Sequence, residues 1–319
     1  MIVNIARVWE DIAVRHKLFM LWKLQGLTDA LKGFVGPAMT QHRLVEFLDK
    51  HREAICGCDP LALPGVIVAF SQTFARVVDI DYLNGFFKKY LCYKEFSAKE
   101  RVVLLKRWDA YALCTSIRSK ICPYCHITPI DTYVSPDGLK AYRPNIDHYY
   151  PQAEFPLLAL TMGNFIPCCE KCNGPQMKGT TRFDLTPHLH PLVDAENISF
   201  RLAYKGGGLD LNKLRLQADS TSYEIEVMAT NGTCLKVDNS IATFRLVPRY
   251  QVCVPDALLV AKRSRLGGRY RMLTKILTKL NFSDKHPLGR SEVPTDFSCP
   301  RYLRFKKTCV GRKTDLSCP

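Results

Sequence analysis

The chain has 319 residues, 47% of them apolar, which excludes a disordered tail and allows two or three domains with buried cores. Its 14 cysteines are too few for a disulfide scaffold of this length, and charged residues near the start interrupt any secretory leader, so we expect a cytoplasmic protein with reduced cysteines and no membrane helix. The formal net charge of +15 favours a polyanionic partner, because basic side chains that contact phosphates release counterions.

Residues 1–118 are predicted to form a mostly helical N-terminal domain. Apolar residues recur at helical spacing in two stretches, and the segment from Ser97 to Glu100 has the pattern of a capping box before the second. The apolar positions are Ile5, Val8, Trp9 and Ile12 in the first stretch and Val102, Leu105, Trp108 and Leu113 in the second. The first stretch, a basic helix over residues 4–25, could bind a partner or a membrane surface, although packing within its own domain is the more common role of such a face.

The central region, residues 119–190, contains two Cys-x-x-Cys pairs, Cys122 with Cys125 and Cys169 with Cys172. Two tight turns of this spacing present four thiolates to one Zn²⁺ at about 2.3 Å without chain strain, so the spacing predicts a structural zinc site. Cys168 leaves a second ligand set open, since three residues between two cysteines also fit some zinc sites. The equal spacing of the two pairs favours Cys169.

Polar residues between and beside the cysteine pairs are suited to phosphodiester cleavage, which needs a base for the attacking water and a cation for the charge on phosphate. His148 is the candidate base, because imidazole has the side-chain pKa nearest to neutral. Asp147 and Asn173 are the candidate ligands of Mg²⁺ or Mn²⁺, which prefer oxygen ligands. Neighbouring strand residues point to opposite faces, so Asp147 and His148 can share one site only where the strand bends or ends. The segment Tyr149–Pro151 predicts that end.

The order of these residues, two Cys-x-x-Cys pairs that bracket Asp147-His148 and Asn164 and lead into Asn173 and Lys178, resembles the zinc-stapled HNH endonucleases, also called His-Me finger or ββα-metal nucleases. The resemblance covers residues 120–185. It implies a ββα-metal core, an orienting role for Asn164 in the loop that carries the base, and cleavage that leaves 5′-phosphate and 3′-hydroxyl ends. Lys178 stands at the family's lysine position and is a candidate phosphate contact, with a solvated surface lysine as the alternative.

A narrower similarity concerns residues 151–160 and the pair His190-Pro191, which look similar to HNH proteins of bacterial anti-phage systems, including the nuclease partner of the Septu ATPase pair. It implies a role in defence and an ATPase or sensor protein as partner. The chain has no Walker A pattern, so any use of ATP would belong to another subunit. His188 and His190 could also be metal ligands or proton carriers, but loop histidines beside prolines usually serve neither purpose.

Residues 191–319 are predicted to form a basic α+β domain, with 22 basic and 12 acidic residues. Alternating apolar and polar residues at 198–204, 223–227 and 234–237 predict a small antiparallel sheet. Residues 256–282 predict two basic helices that are separated at Gly267-Gly268. Lys262, Arg263 and Arg265 are the candidate contacts to DNA phosphates, and a solvated basic helix face is the alternative.

The sequence thus predicts an α+β protein with a helical N-terminal region, a central zinc-stapled ββα-metal core and a C-terminal α+β region. The predicted function is metal-dependent cleavage of DNA. One alternative is a non-catalytic zinc-containing module that binds nucleic acid or a partner, and another is an RNase or a nicking homing-type enzyme. The presence of Asp147, His148 and Asn173 together favours an enzyme, because a decayed site would be expected to lose one of them.

Overall fold

The computed structural model describes residues 4–32, 38–98, 108–136, 140–205 and 219–261. Within these ranges the fold is α+β, as predicted, with many helices and small two-stranded sheets. The described residues divide into two compact units, those within Met1–Ser199 and Met228–Leu246, and those within Phe200–Val227 and Val247–Pro319. The domain boundaries at 118 and 190 stay predictions. Among the described residues, no helix has the length and apolarity needed to cross a lipid bilayer.

The N-terminal part of the first unit is helical. Its helices are α1 Ala13–Lys32, α2 Ala38–Lys50, α3 Arg52–Cys56, α4 Leu63–Thr73, α5 Val77–Tyr90, α6 Tyr93–Ser97 and α7 Ala110–Thr115. Helix α1 packs against α2, α3 and α5. It does so through residues three or four positions apart, which lie on one helix face: His16, Met20, Leu24, Leu27 and Leu31.

The helix predicted from residue 4 begins later than expected, at Ala13. The preceding residues form turns, because the side chain of Asn4 accepts a hydrogen bond from the backbone of Ala6 and the backbone N–H of Ile5 donates to Pro191. Of the predicted capping box, Ser97 ends α6, and Glu100 lies outside the described residues, as do Val102 and Leu105. Helix α7 is capped instead by Asp109, whose carboxylate accepts from the next turn.

The central part contains short strands and one short helix. The strands are β1 Tyr133–Val134, β2 Ala141–Tyr142, β3 Asn145–His148 and β4 Phe165–Cys168, followed by helix α8 Glu170–Asn173. Strands β3 and β4 are antiparallel, with Asp147 opposite Ile166 and His148 opposite Phe165. Helix α8 packs against β3. The order of strand, loop, strand and helix therefore brings the segments with Asp147, Asn164 and Asn173 together.

Two of the three strands predicted after residue 191 are confirmed, as β5 Ile198–Tyr204 and β6 Tyr223–Ala229. The third is wrong, because residues 234–237 lead into helix α9 Leu235–Thr243, which is followed by α10 Leu246–Tyr250. An alternation over four residues is too short to distinguish the period of a strand from that of a helix. The buried residues of this segment, Val237, Ser240 and Phe244, recur every three or four positions. Of the predicted basic helices, residues 254–261 are helical and the rest lie outside the described residues.

Candidate functional site

The four predicted zinc ligands form a buried cluster. The sulfur atoms of Cys122, Cys125, Cys169 and Cys172 all lie within 4.8 Å of one another, and those of Cys125 and Cys169 are 3.9 Å apart. Four bonds of 2.3 Å to a tetrahedral Zn²⁺ would separate the sulfurs by about 3.8 Å, so the cluster could hold this ion. Cys168 is buried and not disulfide-bonded, and the cluster contains Cys169 in its place.

Local backbone hydrogen bonds shape the two cysteine turns. In the first, the N–H of His126 donates to Cys122 and the N–H of Cys122 donates to Thr128, at 2.8 and 2.9 Å. In the second, the N–H of Cys172 donates to Cys169 at 3.1 Å. Burial raises the pKa of the Cys122 thiol. A cation that binds the Cys122 sulfur must therefore displace its proton.

The imidazole of His148 is fixed through its Nε2 atom. Nε2 lies 2.8 Å from the carbonyl oxygen of Ala159, and a carbonyl only accepts, so Nε2 carries the proton. The ring meets Tyr93 and Phe165 edge to face, at centroid distances of 4.5 and 5.3 Å, and 7% of the residue is exposed. Burial lowers the pKa of His148 to about 4. The ring is then neutral at neutral pH, and no described residue donates a hydrogen bond to Nδ1, which keeps its lone pair.

The carboxylate of Asp147 is the centre of a second buried network. Its Oδ1 accepts from the ammonium of Lys178 at 2.5 Å, and its Oδ2 accepts from the hydroxyl of Tyr124 at 2.6 Å. The same ammonium donates to the backbone oxygen of His148 at 2.5 Å and lies 4.9 Å from the centre of the Phe183 ring. Only 4% of Asp147 and 3% of Lys178 is exposed. The charge of this carboxylate is thus balanced inside the protein.

The side chains of Asp147 and His148 project from opposite faces of the β3–β4 hairpin, as the alternation along a strand requires. The side chain of Asp147 faces Tyr124 and Lys178, and that of His148 faces Tyr93 and Ala159. Strand β3 ends at His148, as predicted. The two functional groups therefore flank the end of one strand.

Asn164 closes the loop between β3 and β4. Its Oδ1 accepts from the backbone N–H of Tyr150 at 2.7 Å, and its Nδ2 donates to the backbone oxygens of Tyr150 and Leu158 at 3.0 and 3.2 Å. The residue is fully buried. Because Leu158 precedes Ala159, these bonds hold the segment whose carbonyl accepts from His148.

The remaining predicted metal and phosphate contacts range from half-buried to buried, or lie outside the described residues. Asn173 is the last residue of α8 and is half-buried, and no described residue hydrogen-bonds to its side-chain amide. Lys178 is not the solvated surface lysine of the alternative prediction, because it is buried against Asp147. Its contact with phosphate stays a prediction. Lys262, Arg263 and Arg265 lie outside the described residues.

The two loop histidines are engaged within the protein. The Nδ1 of His188 donates to the backbone oxygen of Thr186 at 2.7 Å, so its Nε2 is free to accept from the hydroxyl of Thr243 at 2.9 Å. The Nδ1 of His190 accepts from the N–H of Leu192 at 3.2 Å, so its Nε2 carries the proton in the neutral ring. Neither neutral ring has an unused lone pair for a metal.

Sequence reasoning missed two groups that contact the predicted site residues. Tyr124 lies between the first two cysteines, but a tyrosine inside a cysteine turn is not a signal for a carboxylate partner. The carbonyl of Ala159 carries no side-chain signal at all. Both contacts depend on the fold.

The buried pair of Lys178 and Asp147 gives a first prediction. We expect Lys178→Met to lower the free energy of unfolding by about 3–5 kcal/mol, because it leaves a buried carboxylate without its cation. Denaturant unfolding of the intact chain measures this. The double variant Lys178→Met/Asp147→Asn should recover most of the loss, since no lone charge remains. Lys17→Met, which breaks the exposed pair with Glu53, is the control and should leave stability unchanged.

No model of a known protein family, no curated protein and no solved structure matches this chain. Function is therefore inferred from the side chains and their geometry.

Proposed function

We propose that this protein is a metal-dependent endonuclease of the HNH type that hydrolyses phosphodiester bonds of DNA. One observation carries the proposal: the imidazole of His148 is held by its Nε2–H on the Ala159 carbonyl, which leaves Nδ1 as a base at the end of the strand that also carries Asp147. The order β3, β4, α8 beside a four-cysteine cluster supports it, because the resembled family combines the same parts.

In the proposed reaction, Nδ1 of His148 accepts a proton from the attacking water. Nε2–H stays on the carbonyl of Ala159, and this hydrogen bond strengthens as the ring becomes positive. The low pKa of the buried ring keeps it neutral before substrate arrives, and a phosphodiester anion nearby would raise that pKa towards the range in which a base is most effective. The ring therefore has both the required protonation state and a fixed orientation.

The candidate ligands have the chemistry that a divalent cation prefers. Asp147 and Asn173 offer oxygen ligands, and each oxygen of the Asp147 carboxylate retains a lone pair beyond its one hydrogen bond. A bound Mg²⁺ or Mn²⁺ would neutralise charge on the scissile phosphate. The ammonium of Lys178 would compete with that ion for Asp147. When displaced, it would be available for the phosphate contact that the sequence resemblance implies. The four cysteines would hold a structural Zn²⁺.

Defence against phage or foreign DNA, and an ATPase or sensor partner, belong to this proposal through the narrower sequence similarity. A second candidate function is a non-catalytic zinc-containing module that binds nucleic acid. It is favoured by the burial of Asp147 and His148, since a fully bonded internal network stabilises a fold without any reaction.

Cleavage of supercoiled plasmid by the intact chain with Mg²⁺, Mn²⁺ or EDTA tests the proposal, with single-stranded DNA and RNA as parallel substrates. We expect cutting of DNA that EDTA abolishes. In Asn173→Ala the Mn²⁺ concentration for half-maximal cutting should rise at least about tenfold, because one ligand is lost. Asn239→Ala is the matched control, because the amide of Asn239 donates to the backbone oxygen of Pro187, away from the candidate ligands. If the chain binds DNA without cutting it, the non-catalytic binding module is favoured. If it cuts equally well in EDTA, a metal mechanism is excluded.

A further inference from the structure

Tyr124 connects the cysteine cluster with the carboxylate of Asp147. It lies in the turn between Cys122 and Cys125, so two cluster residues bracket it in the chain. Its ring is fully buried and stacks on Phe244, with a centroid distance of 4.4 Å and an angle of 16° between the planes. The turn fixes the backbone of Tyr124 and the stacking fixes its ring, so the hydroxyl has one position.

The hydroxyl of Tyr124 is a dedicated donor. It donates to Oδ2 of Asp147 at 2.6 Å, and Lys178 occupies the other oxygen of the same carboxylate. The carboxylate oxygen only accepts, so the hydroxyl of Tyr124 is the donor in this contact. If the ammonium of Lys178 moves away from Asp147, the hydrogen bond from Tyr124 is the side-chain hydrogen bond that this carboxylate keeps within the described chain. That bond alone then sets the direction of the free oxygen.

We propose that Tyr124 is a positioning residue, which orients the Asp147 carboxylate for a divalent cation and so couples the cysteine cluster to the candidate cation site. The inference rests on the proposed function. Partners in the outer shell of a metal site commonly change metal affinity 10–100-fold when they are removed, because the ligand is no longer pre-oriented. The same range is expected for Tyr124.

The decisive variant is Tyr124→Phe, which removes the hydroxyl and keeps the ring on Phe244. Mn²⁺ binding to the intact, zinc-loaded chain is followed by electron paramagnetic resonance, together with zinc content and plasmid cleavage over a range of Mn²⁺ concentrations. We expect full zinc content, a 10–100-fold weaker Mn²⁺ affinity, and cleavage at saturating Mn²⁺ close to that of the unmodified chain. This separation distinguishes positioning of a ligand from general loss of structure.

Tyr149→Phe is the matched control, because Tyr149 is also buried and its hydroxyl donates to a backbone oxygen, that of His188, at 3.1 Å. It should bind Mn²⁺ like the unmodified chain. An unchanged affinity in Tyr124→Phe, or an equal loss in both variants, would overturn the inference. If the unmodified chain neither binds Mn²⁺ nor cuts DNA, the proposed function fails first. Should Tyr124→Phe not fold, Phe244→Leu keeps the hydroxyl but loosens the ring, and the same weakening is expected; an unchanged affinity there overturns the inference.

Discussion

His148→Ala should abolish DNA cleavage while DNA binding and zinc content persist. Loss of a general base typically lowers the rate of a reaction by about 10²–10⁴-fold. No other described residue places a base at the position of the His148 Nδ1 atom. His148→Gln is the sharper variant, because its amide can still donate to the carbonyl of Ala159 while no basic nitrogen remains. Single-turnover cleavage at saturating Mn²⁺ gives the rate for both.

His16 supplies the matched control for this experiment. It is also a buried histidine near Phe165, and its Nε2 donates to Leu160, the residue after Ala159, at 2.8 Å. His16→Gln should lower stability but retain cleavage at a temperature where the chain is folded, because His16 holds the loop and accepts from Trp108 through its Nδ1. Cleavage that survives in His148→Ala would remove His148 as the base. Equal loss in both histidine variants would show that packing, and not base chemistry, was tested.

Cys125→Ser should unfold the central part of the first unit. A structural Zn²⁺ contributes roughly 10–16 kcal/mol to folding in small zinc domains, which equals or exceeds the total stability of about 5–15 kcal/mol of a typical domain. With one sulfur lost, the buried cluster cannot complete a tetrahedral site. Zinc content and far-ultraviolet circular dichroism measure the effect, and removal of zinc by a chelator should reproduce it in the unmodified chain.

Cys168→Ala is the control for the ligand set. Cys168 is as buried as the cluster and adjoins Cys169, but its sulfur is not part of the cluster. We expect full zinc content and a loss of stability of about 1 kcal/mol, typical of one core substitution. If the Cys125→Ser chain keeps its fold and its zinc, the ligand set is wrong. Loss of zinc in Cys168→Ala would then show that Cys168 is one of the ligands.

Several features were predictable because they depend on short stretches of chain. The strands β5 and β6 follow from alternation over the seven residues 198–204 and the five residues 223–227, and the end of β3 follows from the aromatic pair and proline after His148. Alternation over the four residues 234–237 was too short to decide, and helix α9 forms there because Val237, Ser240 and Phe244 all find buried positions. The burial of Lys178 has no local signal, since its partner Asp147 lies 31 residues away.

The sequence by itself determined which residues form the cysteine cluster, because two residues between two cysteines fix the geometry of a turn whatever surrounds it. It also determined that Asp147 and His148 point to opposite faces of a strand. The tertiary structure alone decided the tautomer of His148 and the two partners of Asp147. Those hydrogen bonds join residues 11, 23 and 31 positions apart, and a contact over such a separation is set by how the elements pack.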